Sequence, residues 1–150
     1  MEIQYLKKLK NYYDNNPKIS KIGVPEQEIQ TLEQELKIKL PTVYKEFLFL
    51  AGNRDNILDD WNGGFEYLDL IQINLKESMD NVNLHLKPFF VFAEYNNNQC
   101  MFFFLDEGEN PPIYGYAGEK FHKNEKGEYV YYIKTNDSFS EYIDRCIEAS

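Results

Sequence analysis

Four short apolar runs dominate the second half of the chain, at residues 89–93, 100–105, 113–116 and 129–133. Asn96, Asn97 and Asn98 separate the first two, and an acidic turn over 106–110 follows the second. A parallel crossover needs a dozen or more residues, whereas an antiparallel hairpin closes in two to five. Gaps of this length therefore predict an antiparallel meander, with Lys126 and Gly127 marking the turn before the last run. This switch to short strand-like runs near Pro88 constrains the fold more than any other feature.

The first half has helical spacing instead. Ile3, Leu6, Leu9 and Tyr13 fall near one face of a helix over 2–13, and Asn15, Asn16 and Pro17 begin a connector. Ile29, Leu32 and Leu36 recur at i, i+3 and i+7 over 26–36, with Glu26, Glu28, Glu33 and Glu35 on the other face. Pro41 is placed to open a third helix, whose apolar face is Tyr44, Phe47, Leu48 and Ala51 and whose stop is Gly52. An acidic loop over 53–64 ends in Trp61, Asn62, Gly63 and Gly64. Phe65, Tyr67, Leu68, Leu70, Ile71 and Ile73 read as one or two short strands, and 75–84 as a short polar helix. At the C-terminus, Ser138 and Glu141 have capping-box spacing ahead of Phe139, Tyr142, Ile143, Cys146 and Ile147. Helices first, strands next and a closing helix predict an α+β fold: a mainly antiparallel sheet packed with N-terminal helices and a C-terminal one.

A chain of 150 residues is the size of one domain, here taken as 1–150, and buries enough surface for a core without metals or disulfides. Sixteen basic against 25 acidic residues give a net charge of −9. That balance disfavours nucleic acid and anionic membrane surfaces as partners and suits a basic protein. Cys100 and Cys146 form no CxxC pair and read as reduced core residues. The sequence over 1–13 has no signal-peptide pattern and no later window is a membrane span, so the expected location is the cytoplasm. Asn136, Asp137 and Ser138 form a glycosylation sequon, which reads better as a helix start.

The string from Ile29 through Leu32, Glu33, Leu36, Leu40, Pro41, Tyr44, Lys45, Phe47 and Leu48 to Gly52 resembles the opening signature of the SMI1/KNR4 family, or SUKH superfamily. Trp61 to Gly64 resembles that family's glycine-containing loop, and the Pro88 to Ala93 run its central strand. Asp106 with Pro112, Ile113 and Tyr114 resembles its aspartate turn, and Ser138, Phe139 and Tyr142 its closing helix. One departure is the glycine that commonly precedes the Leu-Pro pair, where Lys37 or Ile38 stands here. The resemblance implies a protein-binding role without catalysis. Bacterial members are similar to immunity proteins that block a cognate toxin, often a nuclease, of polymorphic toxin systems. The alternative is a regulatory scaffold like the fungal members.

A search for chemistry supports the same direction. His85 and His122 lie in separate segments without ligand spacing, and read as solvent-facing. Started at Asp55, Asp59, Asp60 or Asp106, the EF-hand pattern breaks at its glycine or at its glutamate position. Nucleophile-elbow, P-loop and Rossmann patterns are missing from the sequence. No catalytic residue, metal or cofactor is therefore assigned. The candidate partner-binding residues are Asp55, Asp59, Asp60, Trp61, Glu66, Asp106 and Glu107: loop acids with the one tryptophan, a residue type enriched in binding hot spots. The expected partner is a basic protein toxin.

Overall fold

The computed structural model describes residues 1–58 and 60–150. Five helices, α1 (Lys7–Asn15), α2 (Glu26–Leu36), α3 (Thr42–Ala51), α4 (Leu68–Asn81) and α5 (Phe139–Glu148), surround an antiparallel sheet. Its strands are β1 (Phe89–Tyr95), β2 (Gln99–Phe104), β3 (Ile113–Ala117) and β6 (Tyr132–Asn136), in the order β1-β2-β3-β6. The two-residue strands β4 (His122–Lys123) and β5 (Tyr129–Val130) form a small separate hairpin. This is the α+β meander that the short turns predict. The fourth run divides between β5 and β6 rather than forming one strand.

α3 is the buried centre. Val43, Tyr44, Glu46, Phe47, Leu48, Leu50 and Ala51 are all buried. The Tyr44 ring lies 5.4 Å from both Phe90 of β1 and Phe103 of β2, and 5.8 Å from Phe139 of α5. Phe92 closes the group against Phe139 at 5.0 Å. A register shift between Val91 and Ala93 adds a residue to β1 opposite β2. Such a bulge changes the phase of the strand beyond it, while Phe90 and Phe92, two residues apart, both pack around Tyr44.

On the sheet's other side α4 buries Leu68, Ile71, Leu75 and Met79. Here the structure corrects the sequence reading of 65–73: Phe65–Tyr67 is a turn of 3-10 helix that runs directly into α4. The apparent strand pattern arose because the helix carries apolar residues on its outer face as well. Tyr67, Leu70 and Ile73 are 48%, 52% and 64% exposed. Added to the inward-facing Leu68 and Ile71, they erase the gaps that mark a helix in sequence. The polar helix expected over 75–84 is the second half of α4.

Helix boundaries show smaller corrections. α1 starts at Lys7, not residue 2, although Ile3 and Leu6 are buried ahead of it. Pro25 and Pro41 each sit one position before their helix. Gly52 ends α3 with φ −64°, so its role is close packing rather than a left-handed turn; a Cβ there would meet the Leu48 backbone oxygen at 2.8 Å. Lys37 does adopt the left-handed conformation, φ 55°, at the end of α2, beside Ile38, whose N–H donates to the Glu33 carbonyl. A glycine is unstrained there.

Two carboxylates distant in sequence finish helix N-termini. Glu46, buried in α3, accepts from the backbone N–H groups of Gln4, Tyr5 and Leu6, each at 3.0 Å. Glu109 accepts from the Thr42 N–H and hydroxyl with its carboxylate and from the Val43 N–H with its carbonyl. Glu109 thus places negative charge at the first turn of α3, whereas Glu46 satisfies the N-cap residue of α1 and the two residues ahead of it. The capping box expected at α5 is present as far as Ser138 is concerned, whose hydroxyl accepts from the Glu141 N–H at 3.2 Å.

Replacing Glu46 strands three N–H groups in or near the core, and each orphaned buried donor costs about 1–3 kcal/mol. Glu46→Ala is expected to lower unfolding free energy by about 3 kcal/mol or more, with faster amide exchange over residues 3–15. Lys37→Gly is expected to raise it by about 0.5 kcal/mol. Denaturant titration checks both.

Candidate functional site

β1 is an edge strand, and two segments finish its open side. The Gln72 amide of α4 donates to the Val91 carbonyl and accepts from the Val91 N–H, both at 2.8 Å, as a neighbouring strand would. Near the strand's end, Asn62 exchanges both backbone hydrogen bonds with Glu94 at 2.9 Å, and its side chain donates to the Glu94 carboxylate at 3.1 Å. Gly63 follows because the backbone runs so close to β1 that a Cβ would meet the Phe92 carbonyl oxygen at 2.6 Å. These contacts fix the Trp61 loop to the sheet and satisfy an edge that is otherwise a template for association.

The candidate residues separate once placed on this frame. Asp55 is half-buried, and its Oδ1 accepts from the Ile57 and Leu58 N–H groups, both at 2.7 Å, so it shapes the loop from within. Asp59 lies outside the described residues. Asp60 is exposed. Trp61 is half-buried, packed against the core, with its ring meeting Tyr95 edge-on at 6.4 Å; Tyr95 is 46% exposed. Glu66 is exposed in a cleft where Glu28, Glu35, Glu66 and Asp69 surround Leu32 and Phe65.

Asp106 and Glu107 sit elsewhere. Their turn leaves the end of β2 that pairs with the start of β1, whereas Asn62 binds the opposite end of β1. At about 3.3 Å per residue, that is roughly 20 Å away. Both acids face Lys87, at 3.0 and 3.6 Å, whose ammonium sits 4.5 Å above the Phe104 ring. Glu107 also accepts from the Tyr114 hydroxyl at 2.9 Å. Beside them Asn110 pairs with Ser140 at the start of α5. The turn thus joins β3, α3 and α5, with Asp106 and Glu107 paired to Lys87 at its surface.

The sequence profile of the SMI1 / KNR4 family (SUKH-1) matches residues 23–145 of the 150. The chain belongs to that family. No curated protein sequence matches it significantly. The family region holds α2 to β6 and most of α5, including Trp61, Glu66 and the acidic turn. α1 lies before it and is joined to it through Glu46, while Lys8 pairs with Glu148 at the end of α5, just past the matched region, at 2.7 Å.

Other reactive groups in this family member do not converge. Among the described residues no group of three or more His, Cys, Asp or Glu side chains is placed to hold a metal ion. His85 is exposed, as expected, but His122 is half-buried beside Phe121 at 4.5 Å, and burial lowers its pKa. Cys100 is buried as expected; burial, with the Glu94 charge beside it, pushes its thiol well up, which makes it a poor nucleophile. Cys146 is only half-buried. Among the described residues no helix is long and apolar enough to cross a membrane.

Sequence reasoning missed Tyr67, Leu70, Ile73 and Tyr95 as surface groups. The i, i+3, i+6 spacing of the first three was the available signal, hidden by the strand reading of the same residues.

Tyr114 ionises far above its usual range. Burial, then the Glu107 carboxylate at its hydroxyl, pushes its pKa up to about 12. The neutral phenol is the favoured form in the fold. Its contribution to stability is therefore complete below the unfolded value near 10 and is lost as pH rises through about 12. Glu107→Gln removes the charge and keeps an acceptor, so the Tyr114 pKa is expected to fall part of the way back. Phenolate absorbance during alkaline titration, compared with a Tyr114→Phe control, reads the shift.

Proposed function

We propose that this chain is a cytoplasmic immunity protein that binds and neutralises a cognate toxin, a basic nuclease-type protein of a polymorphic toxin system, without catalysing a reaction itself. Membership of the SMI1 / KNR4 family (SUKH-1) supports a protein-binding role. The observation that carries the reading to a particular face is the combination of Trp61, Asp60 and Glu66 on a segment pinned to the sheet edge by Asn62. A preformed loop loses little entropy on binding, and an aromatic ring beside carboxylates suits a basic surface. Asp55 positions this loop, and Asp106 and Glu107 form a separate acidic point that contributes to the protein's field.

The test is co-expression with the C-terminal domain of the toxin encoded beside this chain's gene. Restored growth, a stable complex and loss of toxin activity support immunity. A neighbouring gene without a toxin, or a toxin left active at saturating protein, sinks the reading and favours a regulatory scaffold. In the complex, Trp61→Ala is expected to weaken binding by about 2 kcal/mol. If Trp61 instead serves the core, the same change lowers stability by about 3–5 kcal/mol and leaves the affinity of the folded fraction intact. Association is expected to slow as salt rises from low to physiological strength, because exposed carboxylates steer a basic partner.

A further inference from the structure

The outer face of α4 has no role in the fold, yet it is apolar. The helix needs one buried stripe, and Leu68, Ile71, Leu75 and Met79 provide it. Leu70 and Ile73 then lie on the far side, 52% and 64% exposed, and Tyr67, in the 3-10 turn just ahead of the helix, adds a third large apolar side chain at 48%. Single exposed apolar residues are ordinary, but large ones aligned on one helix face mark an interaction surface. The helix itself is rigidly placed, with Gln72 bonded to Val91 and Ser78 to the Tyr116 hydroxyl at 2.8 Å. Its other flank reaches the β1–β2 turn, where the Asn74 amide lies 3.3 Å from Asn97. That turn directly follows Tyr95, the partner of Trp61.

Charge selects what can cover this face. Glu66, Asp69 and Glu77 border the apolar row, and Glu28 and Glu35 of α2 add to the adjoining cleft, with Lys76 the one cation on the exposed part of α4. A second copy related by two-fold symmetry would bring these carboxylates against each other. An anionic lipid surface meets the same repulsion. We propose that the α4 face docks a partner protein whose own surface is an apolar ridge edged by lysine or arginine. One basic side chain of that ridge enters the cleft over Leu32 and Phe65. This extends the toxin-binding face from the Trp61 loop across α4, and it rests on the reading above only for the partner's identity.

The first probe is a synthetic amphipathic helix of leucine and lysine, titrated into the full chain labelled for backbone amide spectra. Shifts are expected to concentrate at Tyr67, Leu70 and Ile73 and at the cleft. Ile73→Asp is expected to weaken binding roughly tenfold or more while the melting temperature holds, since Ile73 is 64% exposed. A leucine–glutamate counterpart should not bind. Shifts centred elsewhere, an Ile73→Asp affinity equal to the parent's, or a dimer of the free protein that Ile73→Asp dissolves would each overturn the proposal. The second probe is the neighbour-encoded toxin domain. Neutralisation unchanged by Ile73→Asp removes the α4 face while immunity stands. Peptide binding on α4 with no neutralisable toxin removes immunity while the face stands.

Discussion

The packing of Tyr44 is the contact on which the other elements depend. One side chain of α3 touches Phe90, Phe92, Phe103 and Phe139, so a single ring meets two strands and the last helix. Aromatic pairs in tilted and edge-on arrangements add to the burial of large apolar area. They also set geometry, because rings interdigitate in few ways. Phe90 and Phe92, two residues apart on β1, share the face that packs on this ring, and the bulge at Phe92 changes the phase of the strand beyond them. The bulge in turn leaves Val91 and Glu94 as the backbone positions on the open edge, where Gln72 and Asn62 bind. The candidate site is thus fixed by the core through the strand edge.

The acidic character of the chain divides into two populations with different physics. Glu46, Glu109, Glu33 and Asp55 accept from backbone N–H groups, and Glu94 does the same at Asn97. These carboxylates replace water or local caps at helix starts and turns, and all of them except the exposed Glu109 are partly or fully shielded. Charges in that setting are screened little by salt. Glu66, Asp69, Glu28 and Glu35 are exposed around one cleft beside α4, and Asp60 is exposed next to Trp61. Net charge alone conflates the two sets, and it is exposed charge that steers a partner.

How much of this was legible in sequence depends on whether the relevant contact is local. Strand pairing between β1, β2 and β3 was legible because turn length decides it. The Ser138 cap was legible because donor and acceptor lie three residues apart. Glu46 and Glu109 were not, since their N–H partners are about 40 and 67 residues away along the chain. Nothing in the local pattern around Glu46 separates it from a solvated helix glutamate, yet it is the most buried carboxylate described. The candidate site was half legible for the same reason. Loop chemistry pointed to Asp60, Trp61 and Glu66, but the roughly 20 Å between them and the Asp106 turn is a property of the sheet. The helix α4 was misread because a periodicity argument assumes one apolar face, and this helix has two.

That misreading has physical content. A helix with a single apolar stripe is explained by folding alone. On α4 the inner stripe is complete, so removing Tyr67, Leu70 or Ile73 would cost the fold little, while keeping them exposes apolar area to water at every moment the surface is uncovered. Solubility argues against such residues on a free helix face, and the flanking carboxylates of Glu66, Asp69 and Glu77 oppose the pairing of two such faces. The same carboxylates define the complement: apolar at the centre, basic at the edge. Steering by the rim and adhesion by the row are then separable quantities, the first carried by association rate and the second by dissociation rate. A surface serving solubility only would need the acids and not the apolar row, and a surface for self-association would need the row and not the acids. The coexistence of both on one rigid helix is what ties this face to a partner of opposite charge.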